Sequence, residues 1–188
     1  MKNLAVFGSG KGSNAENICD YFSKTSKINI VCICTNKKEA YIVTRAKKYN
    51  LPVIYTTKKE LNEFNRLKNT LKKYNVDYIV LAGFLLKIPS KMVNLYSKKI
   101  INIHPSLLPK YGGKGMYGKN IHKSIIKNKE KESGITIHFV NQNYDEGEII
   151  LQKKCVLSNK ETISSLEQKI HTLEFEYLPK TIEKLILT

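Results

Sequence analysis

Arginine is scarce in this sequence: of 32 basic residues only Arg45 and Arg66 are arginines, although the formal net charge is +16. Specific nucleic-acid contacts lean on the planar arginine fork, and the lysines here are scattered over every predicted helix face and loop. The charge reads as background enrichment in lysine, and no nucleic-acid partner is expected. Cysteine is sparse too. Cys19, Cys32, Cys34 and Cys155 show no C-x-x-C spacing, which speaks against a zinc site or a redox motif. Cys32 and Cys34 share one face of a strand as small core residues, and free thiols fit a reducing compartment. No run of about 18 uncharged apolar residues occurs, and the apolar stretch near the N-terminus is too short for a signal peptide. A cytoplasmic protein without a membrane partner is expected. There is no G-x-S-x-G elbow and no evident nucleophilic cysteine, which argues against a covalent acyl-enzyme.

What is present is a regular alternation of apolar runs and helical stretches. The 188 residues suffice for one domain with a full core. Strands are expected at 4–8, 28–35, 52–55, 78–83, 99–104, 134–140 and 148–157, and helices near 14–24, 38–49, 59–74, 89–97, 117–127 and 161–187. The order is that of an α/β protein: a single domain with an open, twisted, mostly parallel sheet of about seven strands and helices on both faces. In such sheets ligands bind beyond the carboxyl ends of the strands, where the strand order reverses.

Two stretches place polar groups at those ends. GSGKGSN, residues 8–14, follows the first strand and opens the first helix, so glycines let backbone N–H groups approach an anion at the helix start. Gly12, Ser13 and Asn14 are the expected phosphate contacts, with Lys11 as a helper. Ala15 interrupts the G-x-G-x-x-G pattern and the second strand ends in Asn36 and lysines, so a terminal phosphate is favoured over a dinucleotide. A tight turn without a ligand is the alternative. IINIHPSLLPKYGG, residues 100–113, puts Asn102 and His104 on one side of a strand end, and Asp145 stands in the loop VNQNYDEGEII. A carboxylate beside an imidazole favours its charged form, and an amide donates to a developing oxyanion, a set suited to acyl transfer to an amine. On spacing alone, a structural histidine is the competing reading.

The motifs N-I-H-P-S-L-L-P-K-Y-x-G at 102–113, V-L-A-G-F at 80–84, H-F-V at 138–140 and D-x-G-x-I-I-L at 145–151 resemble the formyltransferase family that uses 10-formyltetrahydrofolate. With G-S-N at 12–14, the likeness is to the branch that formylates glycinamide ribonucleotide in purine synthesis, and it covers essentially the whole chain. The resemblance implies Asn102, His104 and Asp145 as the catalytic set, direct attack of the amine on the formyl carbon, and no metal. It implies Gly12, Ser13 and Asn14 on the substrate phosphate and Glu174 on the ribose and amino end. Folate would lie against Leu85, Leu86, Ile88 and the loop 141–146, with Asn141 and Tyr144. It divides the domain, 1–188, into a nucleotide-phosphate half (about 1–100), a folate and catalytic half (about 80–160) and a C-terminal helix (about 161–187). A monomer or homodimer is expected.

Two departures stand out. Leu86 occupies the place of an arginine that follows a methionine in the best-studied members, with Lys87 beside it. The loop GGKGMYGKNIH after Tyr111 is longer than the family's short form and leaves His122 as the counterpart of its last histidine. Gly112, Gly113, Gly115 and Gly118 suit either a flexible lid or an irregular connection. Among relatives within the wider family, methionyl-tRNA formyltransferase carries a C-terminal tRNA-binding domain and formyltetrahydrofolate deformylase an N-terminal regulatory one; the length of this sequence disfavours both.

Overall fold

β1 (Lys2–Phe7) shows how the sheet is built: Leu4 and Val6 enter one core and Ala5 and Phe7 the other, all fully buried, which a strand achieves by alternating its side chains. In the computed structural model, which describes residues 1–187, the chain continues through α1 (Ser13–Phe22), β2 (Ile28–Thr35), α2 (Ile42–Lys48), β3 (Val53–Tyr55), α3 (Lys58–Glu63) and α4 (Asn65–Lys73). β4 (Tyr78–Leu81), α5 (Ser90–Leu95) and β5 (Ile100–His104) follow, then α6 (Lys119–Lys127), β6 (Glu132–Phe139), β7 (Ile149–Val156) and α7 (Ile163–Leu187). The described residues form one seven-stranded sheet in the order β3-β2-β1-β4-β5-β6-β7. Its pairs are parallel from β3 to β5, and β6 and β7 are added antiparallel.

Helices cover both faces, as the alternating pattern predicts. Ile18 of α1, Ile42 of α2, Ile121 of α6 and Leu166 of α7 meet on one side. Leu61, Leu67, Leu71 and Met92, from α3, α4 and α5, meet on the other. Cys32 and Cys34 are buried together in this second core.

The expected helix over 59–74 is broken. Phe64 takes a left-handed conformation (φ 63°), closing α3 and opening α4, and its ring is buried in the second core. No glycine or proline marks the break; what the bend delivers is the Phe64 ring. α3 starts on a capping box in which Thr57 and Glu60 satisfy each other's backbone N–H. α2 begins at Ile42 rather than near residue 38, because the Ile42 N–H bonds to the Gly10 carbonyl (3.2 Å) and its side chain occupies the space beneath Gly8 and Gly12.

Candidate functional site

β1 lies between β2 and β4, so the chain leaves the sheet in opposite directions on either side and a crevice opens at the strand ends. Ser9, buried just past β1, holds it in shape. Its hydroxyl donates to Asn36 Oδ1 (2.5 Å) and accepts the Leu85 N–H (2.9 Å), while its own N–H reaches the Gly83 carbonyl (3.0 Å). Over this floor lies a cavity of about 570 Å³, the size of a small-molecule site.

The predicted phosphate residues stand at one end of the cavity. Gly12 is the N-cap of α1 in the left-handed region (φ 74°), and a Cβ there would run into Ile42. Among the described residues no side chain caps α1, which leaves its first-turn N–H groups as free donors beside Ser13 and Asn14. Lys11 is exposed, and its carbonyl accepts Arg45 Nε (3.0 Å). Asn14 Nδ2 donates to Glu174 Oε2 (2.9 Å), whereas Asn14 Oδ1 is buried with no partner among the described residues. Burial pushes the Glu174 carboxyl up to about 7 against the pull of Asn14.

At the other end Asn102, His104 and Asp145 come together. Asn102 and His104 project from one side of β5, and Asp145 is turned in by a left-handed backbone (φ 56°). Asp145 Oδ1 is 3.5 Å from His104 Nδ1, an ion-pair distance rather than a tight hydrogen bond, and Oδ2 accepts the Gly113 N–H at 2.9 Å. His104 Nε2 is 2.8 Å from the Tyr111 carbonyl, which only accepts, so Nε2 carries a proton. The ring thus lies between that carbonyl at Nε2 and the Asp145 carboxylate at Nδ1.

Of the folate-side residues, Leu85 lines the main cavity. Leu86, Ile88, Asn141 and Tyr144 line an adjoining cleft of about 70 Å³, where Ile88 is a buried wall and Tyr144 a partly exposed one. Lys87 places its Nζ over the Tyr144 ring, 5.4 Å from its centroid. Asn102 and Asp145 border both cavities and so mark the seam between them.

All four histidines of the chain gather here: His104, His122 and His171 on the main cavity and His138 on the cleft. Sequence spacing does not single out His138 or His171. His138 sits within the H-F-V motif, and its pairing with Asn102 across the antiparallel ladder is the missing signal. The glycine-rich loop forms the rim, with Gly113, Gly115 and Gly118 at positive φ, and His122 on α6 is buried behind it.

Known proteins share this chain's sequence pattern and sheet. The formyl transferase family model matches residues 2–182. The chloroplastic phosphoribosylglycinamide formyltransferase of Arabidopsis thaliana is 38% identical over 175 residues, covering 90% of this chain and 60% of that protein. The chain thus spans about three fifths of that plant relative's length. The phosphoribosylglycinamide formyltransferase of Haemophilus influenzae is 34% identical over 188 residues, covering 97% of this chain and 86% of its own. The crystal structure of the Bacillus halodurans phosphoribosylglycinamide formyltransferase superposes with a TM-score of 0.89 at 30% identity, over 98% of this chain and 95% of that one. With the same sheet and the family's motifs around one crevice, the chain belongs to the formyl transferase family, in its phosphoribosylglycinamide formyltransferase branch.

Proposed function

We propose that this chain transfers the formyl group of 10-formyltetrahydrofolate to the amine of glycinamide ribonucleotide, in purine biosynthesis, by direct attack of the amine. The observation that carries this reading is the convergence of Asn102 and Asp145 on the seam of two cavities, with His104 beside them on the main one, which has a helix start on its wall, while the other is walled by apolar groups.

Gly12, Ser13 and Asn14 hold the phosphate on the free N–H groups of α1, with Lys11 adding positive charge from outside. Glu174, held by Asn14, receives the ribose and amino end. Leu85, Leu86, Ile88, Asn141 and Tyr144 form the folate wall. As the amine attacks, negative charge builds on the formyl oxygen, and Asn102 supplies the directed N–H donor. His104 has both nitrogens turned to protein groups in this geometry, so its contribution is the positive charge of a ring held between Asp145 and the Tyr111 carbonyl. Asp145 orients that ring and, through a water, relays the proton from the attacking nitrogen to the departing folate nitrogen. Buried or half-buried free thiols fit a reducing compartment such as the cytoplasm, and among the described residues no helix is long and apolar enough to cross a membrane.

The test is formyl transfer by the purified chain, followed by folate absorbance with glycinamide ribonucleotide as acceptor and water as control. Ribonucleotide-dependent turnover is expected. Cofactor loss at the same rate without the ribonucleotide would identify a hydrolase instead.

A further inference from the structure

His138 is tied to its neighbour's backbone. Its Nδ1 lies 2.8 Å from the Phe139 carbonyl oxygen, and because a carbonyl only accepts, the proton is on Nδ1. In a neutral ring that leaves Nε2 with a lone pair. Nε2 is 3.1 Å from Asn102 Nδ2, which therefore donates to it. The contact follows from the ladder: β5 and β6 pair Asn102 opposite His138, and a register shift between Ile137 and His138 marks the β6–β7 side.

Gly147 completes the arrangement. A Cβ at that position would overlap the Phe139 carbonyl oxygen and come within 3.4 Å of His138 Nδ1. Only glycine lets the loop after Asp145 pass so close to the carbonyl that holds the ring. The ring itself is 2% exposed. The titratable groups facing it are Asp145, whose Oδ1 is 3.8 Å from Nε2, and His104 on β5. Burial, chiefly, and His104 push His138 down from an ordinary 6.5, while the Phe139 carbonyl and Asp145 oppose them, a shift in the direction of the neutral ring that the contacts at both nitrogens fit.

We infer that His138 is a positioning residue for formyl transfer: the Phe139 carbonyl fixes its tautomer, and that tautomer fixes which atom of the Asn102 amide turns to the reacting oxygen. With one N–H of Asn102 Nδ2 given to His138, the second N–H of the same nitrogen is left for the seam between the cavities. A ring carrying its proton on Nε2, or on both nitrogens, would require Asn102 to turn over and offer Oδ1 to the histidine. An oxygen lone pair would then replace the donor. This inference rests on the proposed function, in which Asn102 is the oxyanion donor.

The test has two parts. Long-range proton–nitrogen NMR of the 15N-labelled wild-type chain near neutral pH reads the tautomer directly, the His138 signals being assigned by their loss in His138→Gln. An Nδ1–H ring with an unprotonated Nε2 is expected, and an Nε2–H ring or an imidazolium overturns the inference. Steady-state kinetics then compare His138→Leu with His138→Gln, whose amide oxygen falls where Nε2 was. The leucine variant should lose about 10- to 100-fold in kcat with KM for both substrates nearly unchanged, and glutamine should recover most of that loss. Wild-type kcat in His138→Leu, or an equal loss in both variants, overturns the positioning role. An inactive wild type overturns the proposed function and this role with it, whereas a wrong tautomer in an active enzyme overturns this inference alone.

Discussion

Asn14, in the first turn of α1, donates to Glu174 of α7 at 2.9 Å, a bond that joins residues 160 positions apart into one wall of the cavity. The helices that carry them pack together, Ile18 of α1 sharing a core with Ile170 and Leu178 of α7. This wall of the cavity is therefore assembled from residues far apart in the chain.

The same bond leads to a prediction about pH. Burial raises the Glu174 carboxyl from an ordinary 4.5 to about 7, so between those values the folded protein keeps a proton that the unfolded chain releases. Stability from this group is present at low pH and is lost as pH rises through that window. Glu174→Gln, which cannot ionise, should match the wild type in Tm near pH 4.5 and exceed it at pH 8. A constant difference across the range would mean that Glu174 titrates in the folded state as it does in the unfolded chain.

Asp145 serves two partners at once, His104 through one oxygen and the Gly113 N–H through the other. Asp145→Asn keeps an acceptor for Gly113 but loses the charge beside His104. A fall in kcat of about 10²-fold or more is expected between pH 6 and 9, with the rim loop still anchored. Activity retained across that range would remove Asp145 from the chemistry.

Gly147 is required by space rather than by backbone angle, since a Cβ there meets the Phe139 carbonyl and a carbonyl in a strand has no rotamer to give. Gly147→Ala should cost roughly 3 kcal/mol or more, at the upper end of overpacking. Gly10→Ala, where a Cβ meets nothing within 4 Å, should leave Tm within a degree or so of the wild type and serves as the control. Equal thermal midpoints for the two variants would show that the loop after Asp145 has room to move.

The legible part of this protein is what depends on neighbours in sequence. The alternation in β1, the two-residue spacing of Asn102 and His104, and the glycine turn before α1 all follow from local periodicity and torsion. Spacing gives His138 no role, because it faces Asn102 across an antiparallel ladder, a register set by the packing of the whole sheet. Lys87 over Tyr144 likewise depends on how a strand end meets a distant loop. The break at Phe64 carries no glycine or proline to announce it. Family likeness points to Glu174, whereas in the helical pattern of α7 it is one polar residue among several.

The helix start at Gly12 can be separated from the chemistry by kinetics. Ser13 and Asn14 line the end of the cavity away from Asp145, and the Asn14 side chain already has one donor committed to Glu174 and a buried oxygen without a partner. Replacing both with alanine removes the polar side chains while the backbone N–H groups of α1 remain, so phosphate binding should weaken without vanishing. KM for glycinamide ribonucleotide should rise, with KM for 10-formyltetrahydrofolate and kcat nearly unchanged, the pattern of binding lost equally from ground and transition states. A matching rise in both KM values would place the phosphate elsewhere, because the proposed folate residues Leu86, Ile88 and Asn141 line a different cavity.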